Sequence, residues 1–382
     1  MTEAPVLFDT LPTASGHLFG RATLNAPASL NALSLAMVDL LAPQLAAWAA
    51  DDRVVGVVLD GAGEKALCAG GDIVELVGEI RRLHQQQPGA VPPHAMEFFE
   101  REYRLDHQIH TYPKPFLVWG HGIVMGGGIG LMAGGSHRIV TPKTRLAMPE
   151  VGIGLFPDVG GSWFLSRLPG RTGAFLALTG APLNAADALF AGLADFALGA
   201  DDREPLLTAI RAAHWQGARG ADGAQLSHLI RQLAAQSEGE GRLVLPASPL
   251  RTHLDRINAV IDHDELADIA PRLAALASDP DPWLAHAGAA LTKGSPTSAV
   301  LSLEMQRRCR HASLAESFRL EFQAAVGCCA REDFAEGVRA LLIDKDKSPR
   351  WRPATLAEVT PAVIDDVLRP RFDGPHPLAD LH

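Results

Sequence analysis

The stretch Phe116-Leu117-Val118-Trp119-Gly120-His121-Gly122-Ile123-Val124-Met125-Gly126-Gly127-Gly128-Ile129-Gly130-Leu131-Met132 enters as a strand and leaves, through glycine, as a helix. Phe116 to Trp119 have the apolar composition of a buried strand, Met125 to Met132 read as a helix that glycine opens, and His137-Arg138-Ile139-Val140 read as the next strand. Glycine in a helix is about 1 kcal/mol worse than alanine, so three consecutive glycines need an offsetting reason. Close packing is one; a backbone N–H that must face a ligand is another.

The same order occurs upstream. His17 to Leu24 reads as a strand and Ser34 to Ala50 as a helix, with Ser34 at the N-cap and Pro43 expected to kink it. Val54-Val55-Gly56-Val57-Val58-Leu59 reads as a buried strand. Repeated strand-helix units predict an α/β layer fold with parallel pairing. Gln85 to Pro93 is expected to be an exposed loop. From Ser162 onward helical patterns dominate, with a polar, irregular region expected from Asp201 to Pro249 and its most flexible point at Ser237 to Gly241. An α/β core is therefore assigned to residues 1–195 and a mostly helical region to residues 196–382.

Composition narrows the function. The net charge of −10 argues against a nucleic-acid or anionic-membrane binder, so an anionic ligand would need a local basic patch from Lys65, Arg81-Arg82, or Lys345, Lys347, Arg350 and Arg352. No run reaches the roughly 20 apolar residues of a membrane span. The start Met1-Thr2-Glu3-Ala4-Pro5-Val6-Leu7-Phe8 lacks a secretory or transit pattern, and four cysteines with no paired spacing fit reduced thiols, so a cytoplasmic location is expected. The histidines show no metal-ligand spacing, and no metal is expected. Gly128-Ile129-Gly130-Leu131-Met132-Ala133 fits a dinucleotide-binding pattern, but His121 to Gly127 separate it from the strand, whereas that motif turns directly out of its strand. No phosphate-loop motif is present.

Two further segments carry chemistry. Lys65-Ala66-Leu67-Cys68-Ala69-Gly70-Gly71-Asp72-Ile73 follows a strand by a short turn and opens a helix, where Gly71 can offer a backbone donor to an oxygen gaining negative charge. Ala147-Met148-Pro149-Glu150-Val151-Gly152-Ile153-Gly154-Leu155-Phe156-Pro157-Asp158-Val159-Gly160-Gly161 sets two carboxylates eight residues apart among glycines, prolines and apolar side chains. Acids in such surroundings have reason to hold shifted pKa values and a chemical task.

Together, Lys65 to Ile73, Met125 to Gly130 and Pro149 to Gly161 resemble the crotonase (enoyl-CoA hydratase/isomerase) superfamily, and within it the 3-hydroxyisobutyryl-CoA hydrolase branch. Glu100-Arg101-Glu102-Tyr103 and Glu332 to Trp351 extend the resemblance. It implies a crotonase-like α/β fold, a (ββα) spiral core with a mostly helical C-terminal region. It also implies an acyl-CoA substrate, with CoA as part of that substrate and no separate cofactor. Gly71 and Gly127 match the oxyanion-hole donors, Glu150 the acidic catalytic position, Asp158 the branch's second acid, which would bond the 3-hydroxyl or assist water, and Glu102 a substrate-contacting carboxylate. Hydratases carry a further glutamate where this chain has Gly130, which disfavours hydration by two glutamates. The implied activity is hydrolysis of 3-hydroxyisobutyryl-CoA in valine breakdown. An enoyl-CoA hydratase or isomerase and a non-catalytic acyl-CoA-binding protein are the alternatives. A homo-oligomer and a single self-sufficient chain both remain open.

Overall fold

Apolar runs in the first third of the chain pair side by side. In the computed structural model, which describes residues 4–382, strands β1 (Val6–Pro12) and β2 (Leu18–Leu24) form an antiparallel hairpin. Met1-Thr2-Glu3, the start of the segment expected to lack an export signal, lie outside the described residues. β3 (Val54–Gly61) pairs parallel with β2; its eight residues are all buried, which is why it reads as a continuous apolar run. Strands β4 (Ala66–Cys68), β5 (Phe116–Gly120), β6 (Ile123–Met125), β7 (His137–Val140), β8 (Arg145–Ala147), β9 (Leu183–Asn184) and β10 (Phe196–Ala197) complete the set. The six-stranded sheet has the order β1-β2-β3-β5-β7-β10, parallel from β2 onward, and a four-stranded sheet has the order β4-β6-β8-β9. The expected α/β architecture with parallel pairing is present.

The chain forms two compact units. The first joins the chain up to Gly71, Gln108–Leu146 and Leu183–Arg251. Its core packs Phe19, Val58, Trp119 and Ile139 of the large sheet against Leu207 and Trp215. The helix Leu35–Ala50 is capped by Ser34, whose Oγ accepts the Met37 N–H at 3.3 Å, and runs unbroken through Pro43. A Cβ on Gly20 would fall 2.5 Å from the Trp48 ring, so that glycine lets the helix seat on the sheet. The one buried carboxylate of β3, Asp60, is paired: Arg21 donates to it at 2.7 Å and Thr23 at 2.6 Å.

The second unit joins Asp72–His107, Ala147–Pro182 and Thr252–His382 and is largely helical. Helices Leu314–Cys329 and Pro361–Leu368 approach so closely that a Cβ on Gly327 would meet the Val367 carbonyl oxygen at 1.9 Å.

All ten described strands precede residue 198, and the remainder of the chain is helical or irregular. Two readings change. The segment Asp201 to Pro249 is not irregular: it holds helices Arg203–Ala212 and Arg219–Gly239, because Leu206, Leu207, Ile210, Leu226 and Ile230 form buried stripes among the polar residues. Ser237, expected at a flexible point, is fully buried and donates to the Asp202 carboxylate.

β4 and β6 are parallel neighbours, and Gly128 lies where a Cβ would be 2.3 Å from the Cys68 carbonyl oxygen. Backbone cannot yield there as a flexible side chain would. Gly128→Ala is therefore expected to cost roughly 1–3 kcal/mol or more, read as a lower urea midpoint in equilibrium unfolding.

Candidate active site

Within the first unit, the two glycine segments singled out in the sequence come from adjacent strands. Ile123 N donates to Lys65 O at 2.9 Å and Leu67 N to His121 O at 2.9 Å, which sets β4 and β6 side by side. Gly70 and Gly71 come after β4, and Gly126 and Gly127 after β6. At Gly70, φ is +112°, and a Cβ there would sit 4.0 Å from Gly127 N. Gly127 is the first residue of the helix Gly127–Ala133, so its N–H has no intrahelical acceptor. The structure thus brings Gly71 and Gly127 onto neighbouring turns. Beside β4, Lys65, Asn31, Leu30 and Pro27 line a cavity of about 440 Å³. Asn31 builds its wall by bonding the carbonyls of Ala62 and Ala66.

Within the second unit, the carboxyls form a cluster. Glu102, Tyr103 and Asp106 lie on the helix Pro93–His110, and 102 and 106 share a face because four residues make about one turn. Glu150 begins the short 3-10 turn Glu150–Ile153, closed by Gly154 at φ +77°. A Cβ at Gly154 would strike the Asp333 carbonyl oxygen at 2.3 Å, so the Glu150 turn is pressed onto the helix Glu332–Val338. Glu102, Glu150 and Asp158 are 2%, 4% and 5% exposed, and Asp106 and Glu321 are fully buried. Tyr103 donates its hydroxyl to Asp158 Oδ2 at 2.6 Å. Glu150 Oε2 and both Asp106 oxygens are buried without a hydrogen-bond partner.

Asp158 is the hub. Its charge pushes up the proton affinity of Glu102, Tyr103, Asp106, Glu150 and Glu321, and for each of these burial is the larger cause. Asp158 itself is raised by burial to about 6, held from rising further by the Tyr103 hydroxyl. Glu321 is raised to about 8, and Glu102, Asp106 and Glu150 lie well above the usual carboxylate range. Such an assembly titrates as a set, with every member's proton affinity raised.

The predicted carboxylates Glu102, Glu150 and Asp158 therefore belong to one cluster, to which the structure adds Tyr103, Asp106 and Glu321. The sequence carried a signal for the two added acids. Asp106 falls in the stripe Ala95, Phe98, Phe99, Glu102, Ile109, and Glu321 in the stripe Phe318, Phe322, Ala325; acids at core-facing positions are exceptions to helical patterning. Of the basic candidates, Arg82 lies 3.9 Å from Glu79 and Arg352 3.0 Å from Glu332, both arginines exposed. Among the described residues no group of three His, Cys, Asp or Glu could hold a metal, and no helix is long and apolar enough to cross a membrane.

Known proteins match nearly the whole chain. The enoyl-CoA hydratase/isomerase family profile matches residues 19–368. The chain is 38% identical over 354 residues to 3-hydroxyisobutyryl-CoA hydrolase, mitochondrial, of Gallus gallus, covering 92% of this chain and 86% of that protein. It is 36% identical to the Homo sapiens protein of the same name, covering 89% and 83%. A crystal structure of a carnitinyl-CoA dehydratase from Mycobacterium thermoresistibile aligns with TM-score 0.81 and 37% identity over 97% of both chains. An enoyl-CoA hydratase structure from Rhodobacter sphaeroides 2.4.1 aligns with TM-score 0.77 and 35% identity, covering 96% of this chain and 98% of that one.

Acids with raised folded pKa values take up protons on folding. Their contribution to stability is complete at low pH and is lost as pH rises through the folded value. For Asp158 that window runs from 3.8 to about 6. Between pH 4 and pH 7, Asp158→Asn should gain on the wild type by about 2 kcal/mol, the part of a shift of some two pKa units that titrates between them, as measured by urea unfolding at both pH values. Tyr103→Phe removes the donor that favours the Asp158 anion. The Asp158 carboxyl should then titrate above about 6 when followed by carbon-13 NMR.

Proposed function

Because the chain belongs to the enoyl-CoA hydratase/isomerase family, we propose that it hydrolyses 3-hydroxyisobutyryl-CoA to 3-hydroxyisobutyrate and free CoA. The observation that carries this reading is Glu150: a buried carboxyl with one unpartnered oxygen and a raised proton affinity, in one cluster with Asp158 and Tyr103. Relatives at 36–38% identity that bear the hydrolase name support it. So does Gly130, which offers no side chain for the second acid of a hydratase.

The residue roles derive from their chemistry. Gly71 N–H and Gly127 N–H would polarise the thioester carbonyl and hold the oxyanion. Glu150 would either take a proton from the attacking water or attack the carbonyl itself to give an anhydride that water opens. In both routes the C–S bond breaks and the thiolate leaves with a proton; in the first, water supplies the new carboxylate oxygen directly, and in the second, water opens the anhydride at either carbonyl, so that its oxygen enters the product or replaces the Glu150 oxygen that left with it. Asp158, oriented by Tyr103, would accept a hydrogen bond from the 3-hydroxyl or steer the water, and Glu102 would contact the acyl group. The cavity beside β4 offers Lys65 as a cation for a phosphate of the CoA portion. The reaction needs no group beyond water.

Purified protein incubated with 3-hydroxyisobutyryl-CoA should release thiol. Loss of crotonyl-CoA absorbance without thiol release would make it a hydratase instead, double-bond migration an isomerase, and binding without any product a non-catalytic acyl-CoA-binding protein. Glu150→Gln should lower kcat by about 10²–10⁴. Since protonated Glu150 can neither accept a proton nor attack, and burial raises its proton affinity, the wild-type rate should climb as pH rises from acid toward neutral.

A further inference from the structure

We propose that Glu321 is a positioning residue for this hydrolysis, its carboxyl fixing the turn that aims Asp158. The inference rests on the reading above, in which Asp158 meets the substrate or the attacking water.

Asp158 begins a tight turn in which Gly161 N donates to Asp158 O at 2.6 Å. Both inner residues have positive φ: Val159 at 53° and Gly160 at 86°. Gly160 adopts this readily. Val159 does not, because a β-branched side chain in the left-handed region crowds its own backbone. Left to itself, Val159 would relax to negative φ, and that rotation would swing the Asp158 end of the turn against the Gly160 end. Something must hold both ends.

At the Asp158 end, the Tyr103 hydroxyl holds the side chain. At the other, Glu321 reaches from the helix Leu314–Cys329 and accepts two backbone donors, Gly160 N–H on Oε2 at 2.7 Å and Ser162 N–H on Oε1 at 2.8 Å. These amides flank Gly161, so one fully buried carboxyl clamps the downstream side of the strained turn. An acid facing the core of an otherwise apolar stripe is costly as packing unless its oxygens are bonded. Its two oxygens are used on the backbone next to Asp158.

The test is a mutant cycle on 3-hydroxyisobutyryl-CoA hydrolysis. In Glu321→Gln the amide oxygen can still accept one N–H, but the amide nitrogen faces the other donor with its own hydrogens. We expect kcat/KM to fall about 10–100-fold, and by less than about 2-fold when the same change is made in Asp158→Asn, since residues acting as a unit are not additive. Glu321→Asp, which keeps an acceptor pair one methylene short, should recover part of the loss. It stands in for the amide variant in the cycle if that variant does not fold. Equal losses in both backgrounds would reduce Glu321 to a general structural role and overturn the proposal, as would a silent Glu321→Gln beside a crippled Asp158→Asn. A fully active Asp158→Asn would instead strike down the role given to Asp158, and the positioning role with it.

Discussion

Five buried carboxyls set the terms for the second unit. Glu102, Asp106, Glu150, Asp158 and Glu321 are all sequestered from water, and charging them together would cost several kcal/mol per ion. The fold eases that cost by raising the proton affinity of each. It also directs its neutral donors, the Tyr103 hydroxyl and the amides of Gly160 and Ser162, toward those oxygens that can use them. Elsewhere the chain handles buried acids differently. Asp60 takes a guanidinium and a hydroxyl, and Asp333 takes the Ser295 hydroxyl and the Arg352 N–H. Those are settled acids with filled valences; Glu150 and Asp106 are not.

That contrast separates architecture from chemistry. A carboxyl whose oxygens are all satisfied has little to gain from a substrate, whereas one that is buried, raised and unpartnered gains from any donor that enters. Glu150 is built that way by its turn, which Gly154 closes against the backbone of Asp333. The first unit prepares the opposite polarity. Its paired strands β4 and β6 end in glycine turns, where the absence of Cβ lets backbone approach backbone and leaves amides available to an oxygen.

The similar proteins carry both hydrolase names and, among the solved structures, hydratase and dehydratase titles. One fold hosting several reactions of acyl-CoA is what site-level variation produces. In this chain Asp158 stands on a strained turn beside Tyr103.

Local pattern alone determined the parallel strand-helix units, because an all-apolar run such as Val54–Leu59 and a capped periodic helix such as Ser34–Ala50 carry their structure in their spacing. Glycine, proline and acid in improbable company likewise marked Gly71, Gly127, Glu150 and Asp158. Polar composition misled at Asp201 to Pro249, where buried stripes lay beneath the charged residues. What only the tertiary structure decided is which acids meet. Asp106 and Glu321 lie far apart along the chain, and each is an acid in a core-facing, mostly apolar stripe. It is helix packing that makes them neighbours of Asp158 and, by removing water, raises the proton affinity of ordinary carboxyls.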